Sequence, residues 1–299
     1  MVTTFIYFFS AVNIIIAFMI VSYNWRVNKN VIYLAVFLIL FALESALLST
    51  FNFGGNIDFY TYLFIISPLF FIKAPALYFF VRGIAHNQFY FNKKDLLHFI
   101  PVLIHLVAFI PYMLLSYEEK YSISEYILQN FEHLRGLNIN TFYPVTWNHT
   151  TRVIQLFVYL IVCFYALRKV RVKFGLLKGQ LKFQHNYTNV RLRILLTMIF
   201  IISALLLVLN YMFSMSYEKT ELINYMHMMV NVVRGLYIAI PLLIIFSPKL
   251  LYGLPHLETK HISANRFHEA DPLPKSRPIQ TSDKGKEKPI EDQKEPAEN

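Results

Sequence analysis

Seven stretches of roughly twenty mostly apolar residues recur along the chain, the length of helix that crosses a hydrocarbon core ~30 Å thick. They lie at about 3–23, 31–49, 59–82, 96–116, 151–168, 194–214 and 225–247. The pattern predicts an all-α fold, a polytopic membrane bundle of seven transmembrane helices over residues 1–253. The third stretch is the least regular, because Pro68, Lys73 and Pro75 interrupt it. A proline inside a helix removes one backbone hydrogen bond and bends the axis, so Pro101, Pro111 and Pro241 also predict bends.

The polar connections alternate in charge. Asn24–Asn30 carries Arg26 and Lys29, Thr50–Asp58 has no basic residue, and Gly83–Asp95 carries Lys93 and Lys94 with Arg82 at its border. The long fourth connection, Tyr117–Thr150, leans acidic: Glu118, Glu119, Glu125 and Glu132 outnumber Lys120 and Arg135, with Arg152 just beyond it. The fifth, about 168–193, holds Arg168, Lys169, Arg171, Lys173, Lys178, Lys182, Arg191 and Arg193 without an acid. The sixth has Glu218, Lys219 and Glu221. Basic connections face the cytoplasm, which predicts an N-terminus outside and a C-terminus inside. Arg26 after the first stretch, with no positive charge before it, marks that stretch as an N-out anchor rather than a cleaved signal.

From about Leu254 the pattern ends. Residues 254–299 contain eight Lys/Arg, nine Asp/Glu and six Pro, a composition that buries too little apolar surface to offset chain entropy. The expectation for 254–299 is a disordered cytoplasmic tail.

Composition agrees with the pattern: 56% of residues are hydrophobic and the mean hydropathy is +0.43. The net charge of +10 gathers in particular connections, so it reports topology rather than nucleic-acid binding. Cys163 is alone, which excludes an intramolecular disulfide.

Ionisable residues within the stretches each mark a functional hypothesis. Glu44, Lys73 and Arg234 are the clearest. At ~1.5 Å per residue, Glu44 lies about five residues and Arg234 about eight or nine from the outer end, whereas Lys73 lies about fourteen residues in. Depth therefore favours a Glu44–Arg234 pair over Glu44–Lys73. Asn210, Tyr211, His227 and Asn231 share the outer half. The six residues Glu44, Arg234, Asn231, Asn210, Tyr211 and His227 either line a ligand-binding pocket open to the outside or join helices as interhelical polar contacts.

Other signals carry less. His98 and His105 are seven apart on one helical face, but two histidines without further ligands do not make a metal site. Asn148-His149-Thr150 matches a glycosylation sequon, a short pattern common by chance. No phosphate-binding loop, nucleophile elbow, zinc-protease or EF-hand motif is present, and the seventh stretch has no mid-membrane lysine for retinal. The expectation is a protein without catalytic residues, cofactor or bound metal.

Four short elements carry a family resemblance. Lys73-Ala-Pro-Ala-Leu-Tyr78 resembles a G-P-x-L-Y element, with Ala74 in place of glycine, and Leu96-Leu-His-Phe-Ile-Pro101 resembles L-H-F-x-P. His185-Asn-Tyr-Thr-Asn-Val-Arg-Leu-Arg193 resembles Y-S-x-x-x-x-x-L-x-W-L without its tryptophan, and Ser247-Pro-Lys-Leu-Leu-Tyr-Gly-Leu-Pro255 resembles P-x-x-L-Y-G-x-P. Together these resemble the multi-helix membrane domain of membrane-anchored AraC/XylS-type transcriptional regulators of Bacteroidetes-like bacteria, over most of residues 1–255. The resemblance implies a domain in a bacterial cytoplasmic membrane that senses a signal for a cytoplasmic helix-turn-helix domain.

After Pro255 the sequence holds 44 residues with no apolar helical period, so no recognition helix can be drawn and direct nucleic-acid binding is not expected. The expected function is a membrane-embedded sensor that passes a conformational change to a partner, with a small-solute transporter or channel as the alternative. The expected partners are the lipid bilayer, a small extracellular ligand, and a cytoplasmic protein or a second copy of the chain.

Overall fold

A computed structural model describes residues 2–26, 28–50, 56–86, 91–130, 139, 141–174, 180–216 and 221–246. The expected tail, 254–299, lies outside the described residues. Every regular element among the described residues is helical. The α-helices are α1 (Val2–Asn24), α2 (Val31–Thr50), α3 (Ile57–Ile65), α4 (Lys73–His86), α5 (Ile100–Met113), α6 (Tyr117–Gln129), α7 (Val145–Phe174), α8 (Gln180–Ser216) and α9 (Glu221–Ile245). Two 3-10 turns, Ser67–Ile72 and Lys93–Phe99, lead into α4 and α5.

Among the described residues, five helical segments are long and apolar enough to cross a membrane: Thr4–Asn24, Val31–Thr50, Lys93–Met113, Trp147–Arg168 and Val190–Met212. A sixth results if Ile57–Ile65 and Ser67–Ile84 form one broken span. In the seventh stretch the apolar helix is shorter, Met228–Ile244. The surface is apolar where a water-soluble helix would be polar. On α5, Leu103, Ile104, Val107 and Ile110 form one exposed stripe, and on α7 Ile154, Val158, Ile161 and Tyr165 form another.

Neighbours along the chain pack together, α1 on α2, α7 on α8 and α8 on α9, while α4 lies between α2 and α7. One core joins these helices around Phe37, Leu38, Leu77, Leu160, Cys163, Leu196 and Ile240. A smaller core, with Tyr60, Phe64, Phe70, Phe109 and Tyr112, holds α3, α5 and α6 to α2. Gly83 of α4 sits directly against the side chain of Asn30, so a Cβ there would have to push that side chain aside.

Three expectations about local structure change. The third stretch is not one helix: α3 and the segment that follows are bent by 54°. Pro68 falls at the start of the 3-10 turn and Pro75 in the first turn of α4, where a missing N–H costs least. The acidic fourth connection contains α6, begun by a capping box in which Ser116 Oγ accepts from the Glu119 amide (3.2 Å) and Glu119 Oε2 accepts from the Ser116 amide (2.8 Å). Lys120 Nζ donates to the terminal carbonyls of Met113 and Leu115 at 2.8 and 2.6 Å, closing the end of α5. Much of the basic fifth connection is helical too, because α7 runs on to Phe174 and α8 starts at Gln180.

Candidate functional site

Glu44 lies near the C-terminal end of α2 on its buried face, with 1% of its surface exposed. A carboxylate at such a place requires a cation. Two approach it. Lys73, at the first position of α4, donates from Nζ to Glu44 Oε2. Arg152, in the second turn of α7, places Nη1 3.8 Å from Glu44 Oε1, near enough for charge attraction but too far for a hydrogen bond. Both cations are buried, at 5% and 6% side-chain exposure.

Aromatic faces complete the setting. Arg152 lies over the Phe70 ring with 5.2 Å to the centroid, and Lys73 lies 5.9 Å from the Phe41 centroid. Phe41 in turn packs on Tyr237 of α9 at 4.5 Å. Tyr60 and Tyr237 are within electrostatic reach of Arg152, and His149, one turn before it, contacts Nη2 through Nδ1 at 3.3 Å. Asn148, Arg152 and Gln155 share one face of α7 by their spacing.

The pairing expected between Glu44 and Arg234 does not form; Glu44 is held by Lys73 and Arg152. The depth estimate treated the third stretch as a straight helix. The 54° bend between α3 and the segment that follows breaks that assumption, and Lys73, at the start of α4, lies beside Glu44. Arg234 instead closes the end of α2. Its Nη2 donates to the carbonyls of Leu48 and Ser49, each at 3.3 Å, and its Nη1 to Asn231 Oδ1 at 3.2 Å. Those carbonyls belong to the last turn of α2, where no amide follows to meet them and the helix dipole is negative.

The remaining expected site residues disperse. Asn231 supports Arg234. Asn210 donates to its own helix, to the Leu206 carbonyl at 2.8 Å, and Tyr211 is exposed. His227 lies on α9 with its side chain outside the described residues. The structure therefore joins Glu44 to Lys73 and Arg152, and Arg234 to Asn231, in two separate groups. Arg152 escapes a sequence reading because it borders a polar connection, although the stripe Asn148, Arg152, Gln155, Tyr159 repeats at helical spacing.

The histidines also separate. His98 Nδ1 meets the Tyr159 hydroxyl at 2.5 Å, whereas His105 stacks between Phe71 and Tyr143, with centroids 4.9 and 5.4 Å away. Among the described residues no group of three or more His, Cys, Asp or Glu is placed to hold a metal. The sequon asparagine, Asn148, is 3% exposed within α7, which hides it from a glycosylating enzyme.

A second ion pair lies at the other end of α4. Arg82 Nη1 and Nη2 donate to Asp95 Oδ1 and Oδ2 at 2.6 and 2.8 Å, and the guanidinium lies over Phe79 and Tyr78. Asp95 also accepts from the Asn92 amide at 2.7 Å, so one carboxylate starts the 3-10 turn and binds α4.

No protein-family model matches the chain, and no curated protein or solved structure matches it either.

Proposed function

We propose that the chain is a seven-span sensor domain of a bacterial cytoplasmic membrane, without catalysis of its own, with its N-terminus outside and its C-terminus in the cytoplasm. The observation that carries this reading is the Glu44–Lys73–Arg152 cluster, three buried charges from three helices. Charges of this kind are costly in a membrane and are kept where a signal or solute is handled. Five long apolar helices and the broken α3–α4 pair account for up to six spans; the seventh in this reading is the sequence stretch 225–247, of which the shorter apolar helix Met228–Ile244 is part. The charge alternation of the connections supplies the orientation. The four AraC/XylS-like elements favour signalling over transport, acting through a cytoplasmic protein partner or a second copy.

α7 provides the route. It is one continuous helix from Val145 to Phe174, with Arg152 near one end and Arg168, Lys169, Arg171 and Lys173 near the other. Arg152 and Arg171 are ~30 Å apart along the axis, about the thickness of the hydrocarbon core. A stiff helix displaced at the cluster moves its basic end as a unit.

The test uses spin labels at cysteines replacing Arg171 and Lys182, in a Cys163→Ser background in nanodiscs. Glu44→Gln is expected to shift the label–label distance distribution, while proteoliposomes show no counterflow of labelled lactate or acetate. An unchanged distribution, or sustained counterflow, would replace the sensor with a transporter or a static bundle. Impermeant maleimide should label a cysteine at Ser122 from outside and one at Lys173 only from inside; the reverse pattern would overturn the orientation.

A further inference from the structure

The charges of the cluster do not balance. Glu44 supplies one negative charge and Lys73 with Arg152 two positive ones. Burial of an uncompensated cation is strongly unfavourable, so something of opposite sign belongs beside it. The imbalance sits on Arg152, since Lys73 is hydrogen-bonded to Glu44 and Arg152 stands 3.8 Å from the carboxylate.

Hydrogen-bonding capacity is left over at the same place. Arg152 Nε and Nη1 donate to no protein atom, and neither does the buried Tyr237 hydroxyl have a partner. The side-chain amide of Gln155, one turn along α7, is unpartnered at both its nitrogen and its oxygen. Asn148 Oδ1 and Glu44 Oε1 are unpartnered acceptors. Buried polar atoms in folded proteins nearly always find partners, so orphans on Arg152, on Glu44 and Tyr237 beside it, and on Asn148 and Gln155 one turn either side along α7 mark a place built for a polar guest.

We propose that Arg152 is the anchor of a binding site for a small monovalent carboxylate bearing its own hydrogen-bond donor, such as a 2-hydroxy acid. One negative charge cancels the surplus. The carboxylate takes up donors from Arg152 and Tyr237, and the ligand's hydroxyl answers an orphan acceptor, Glu44 Oε1 or Asn148 Oδ1. Phe70, stacked on the guanidinium, keeps it desolvated and so strengthens its attraction for an anion. This deepens the sensor reading and rests on it for its consequence, since the anchor lies on α7.

The protein in nanodiscs is titrated with sodium lactate, sodium acetate and sodium chloride at matched ionic strength, and its melting temperature is followed. Lactate is expected to raise it saturably, acetate more weakly, and chloride not at all. Arg152→Gln should abolish the saturable shift. Should that variant fail to fold, Tyr237→Phe, which removes one donor and keeps the ring, should weaken the lactate midpoint about tenfold, as the loss of one hydrogen bond to a charged group implies. Equal shifts from chloride, a shift that never saturates, or a lactate midpoint unmoved in Tyr237→Phe would overturn the site. The spin-label distance separates the two readings. Saturable lactate binding without a distance change keeps the site and sinks the sensor; a Glu44→Gln distance change without lactate binding does the reverse.

Discussion

Two arginines of this chain meet a buried acid in opposite ways. Arg82 gives both terminal nitrogens to both oxygens of Asp95, at 2.6 and 2.8 Å, and the charges cancel one to one. Arg152 faces a carboxylate already held by Lys73, at a distance too long for a hydrogen bond, and keeps donors unused. The first arrangement is complete and joins α4 to the 3-10 turn before α5. The second is incomplete, although it is the more deeply buried of the two. The difference teaches that burial of charge does not by itself distinguish a fastening from a site. What distinguishes them is whether charge and hydrogen bonds close among the protein's own atoms.

The largest effect should come from breaking the incomplete group. Glu44→Gln leaves two buried cations without an anion and is expected to cost about 3–5 kcal/mol, read from melting in detergent. Lys73→Gln in the same chain should recover part of that loss, whereas exchanging Glu44 and Arg234 should recover none. Recovery by the exchange would restore the pairing that depth alone suggests.

Breaking the complete pair should cost less. Arg82→Ala leaves Asp95 its bond from the Asn92 amide and should lower stability by about 1.5–3 kcal/mol. Its effect should be independent of lactate, unlike that of Arg152→Gln. A lactate-dependent Arg82 variant would erase the distinction between the two regions.

Arg234→Met removes the donors that close α2 and should cost about 0.5–2 kcal/mol, the range for a cation at a partly buried helix C-terminus. Hydrogen exchange should quicken in the last turn of α2 and remain unchanged in α4. Quickened exchange throughout α4 would mean that Arg234 supports the cluster directly.

The smallest effect concerns pH. Hydrogen bonding by the Ser116 amide first, and by the Ser116 side chain second, holds the Glu119 carboxyl below the ordinary glutamate range, and Ser116→Ala removes the second of these. A lowered folded-state value means that its contribution to α6 is present above the unfolded value and fades as pH falls through the folded one. Resonance titration of Glu119 should show this midpoint, and Ser116→Ala should move it upward. A midpoint unchanged by Ser116→Ala would remove the capping box from the account of α6.

The apolar spans were legible from the chain because a bilayer demands long uninterrupted apolar helix, a one-dimensional property. Glu44 and Lys73 were legible as ionisable residues in apolar surroundings, since their cost is local. Helix α6 was also written locally, in Ser116 and Glu119 three residues apart, although the acidic composition of its neighbourhood obscured it. The break in the third stretch was foreshadowed by Pro68 and Pro75, but neither the 54° angle nor its direction follows from them.

Only tertiary structure decided which charges meet. Pairing depends on helix tilt and rotation, which are set by packing between helices distant in sequence, Phe41 on Tyr237 and Phe70 on Arg152 among them. The packing of α4 on α2 sets Lys73 against Glu44, the end of α2 takes Arg234, and the packing of α7 on α4 brings a residue at the edge of a polar connection into the cluster. The sequence by itself determined a chain of apolar helices carrying a few costly charges. The fold decided their partners, because a charge in a low-dielectric interior is defined by its neighbours within a few ångströms, and those come from helices that the sequence does not place side by side.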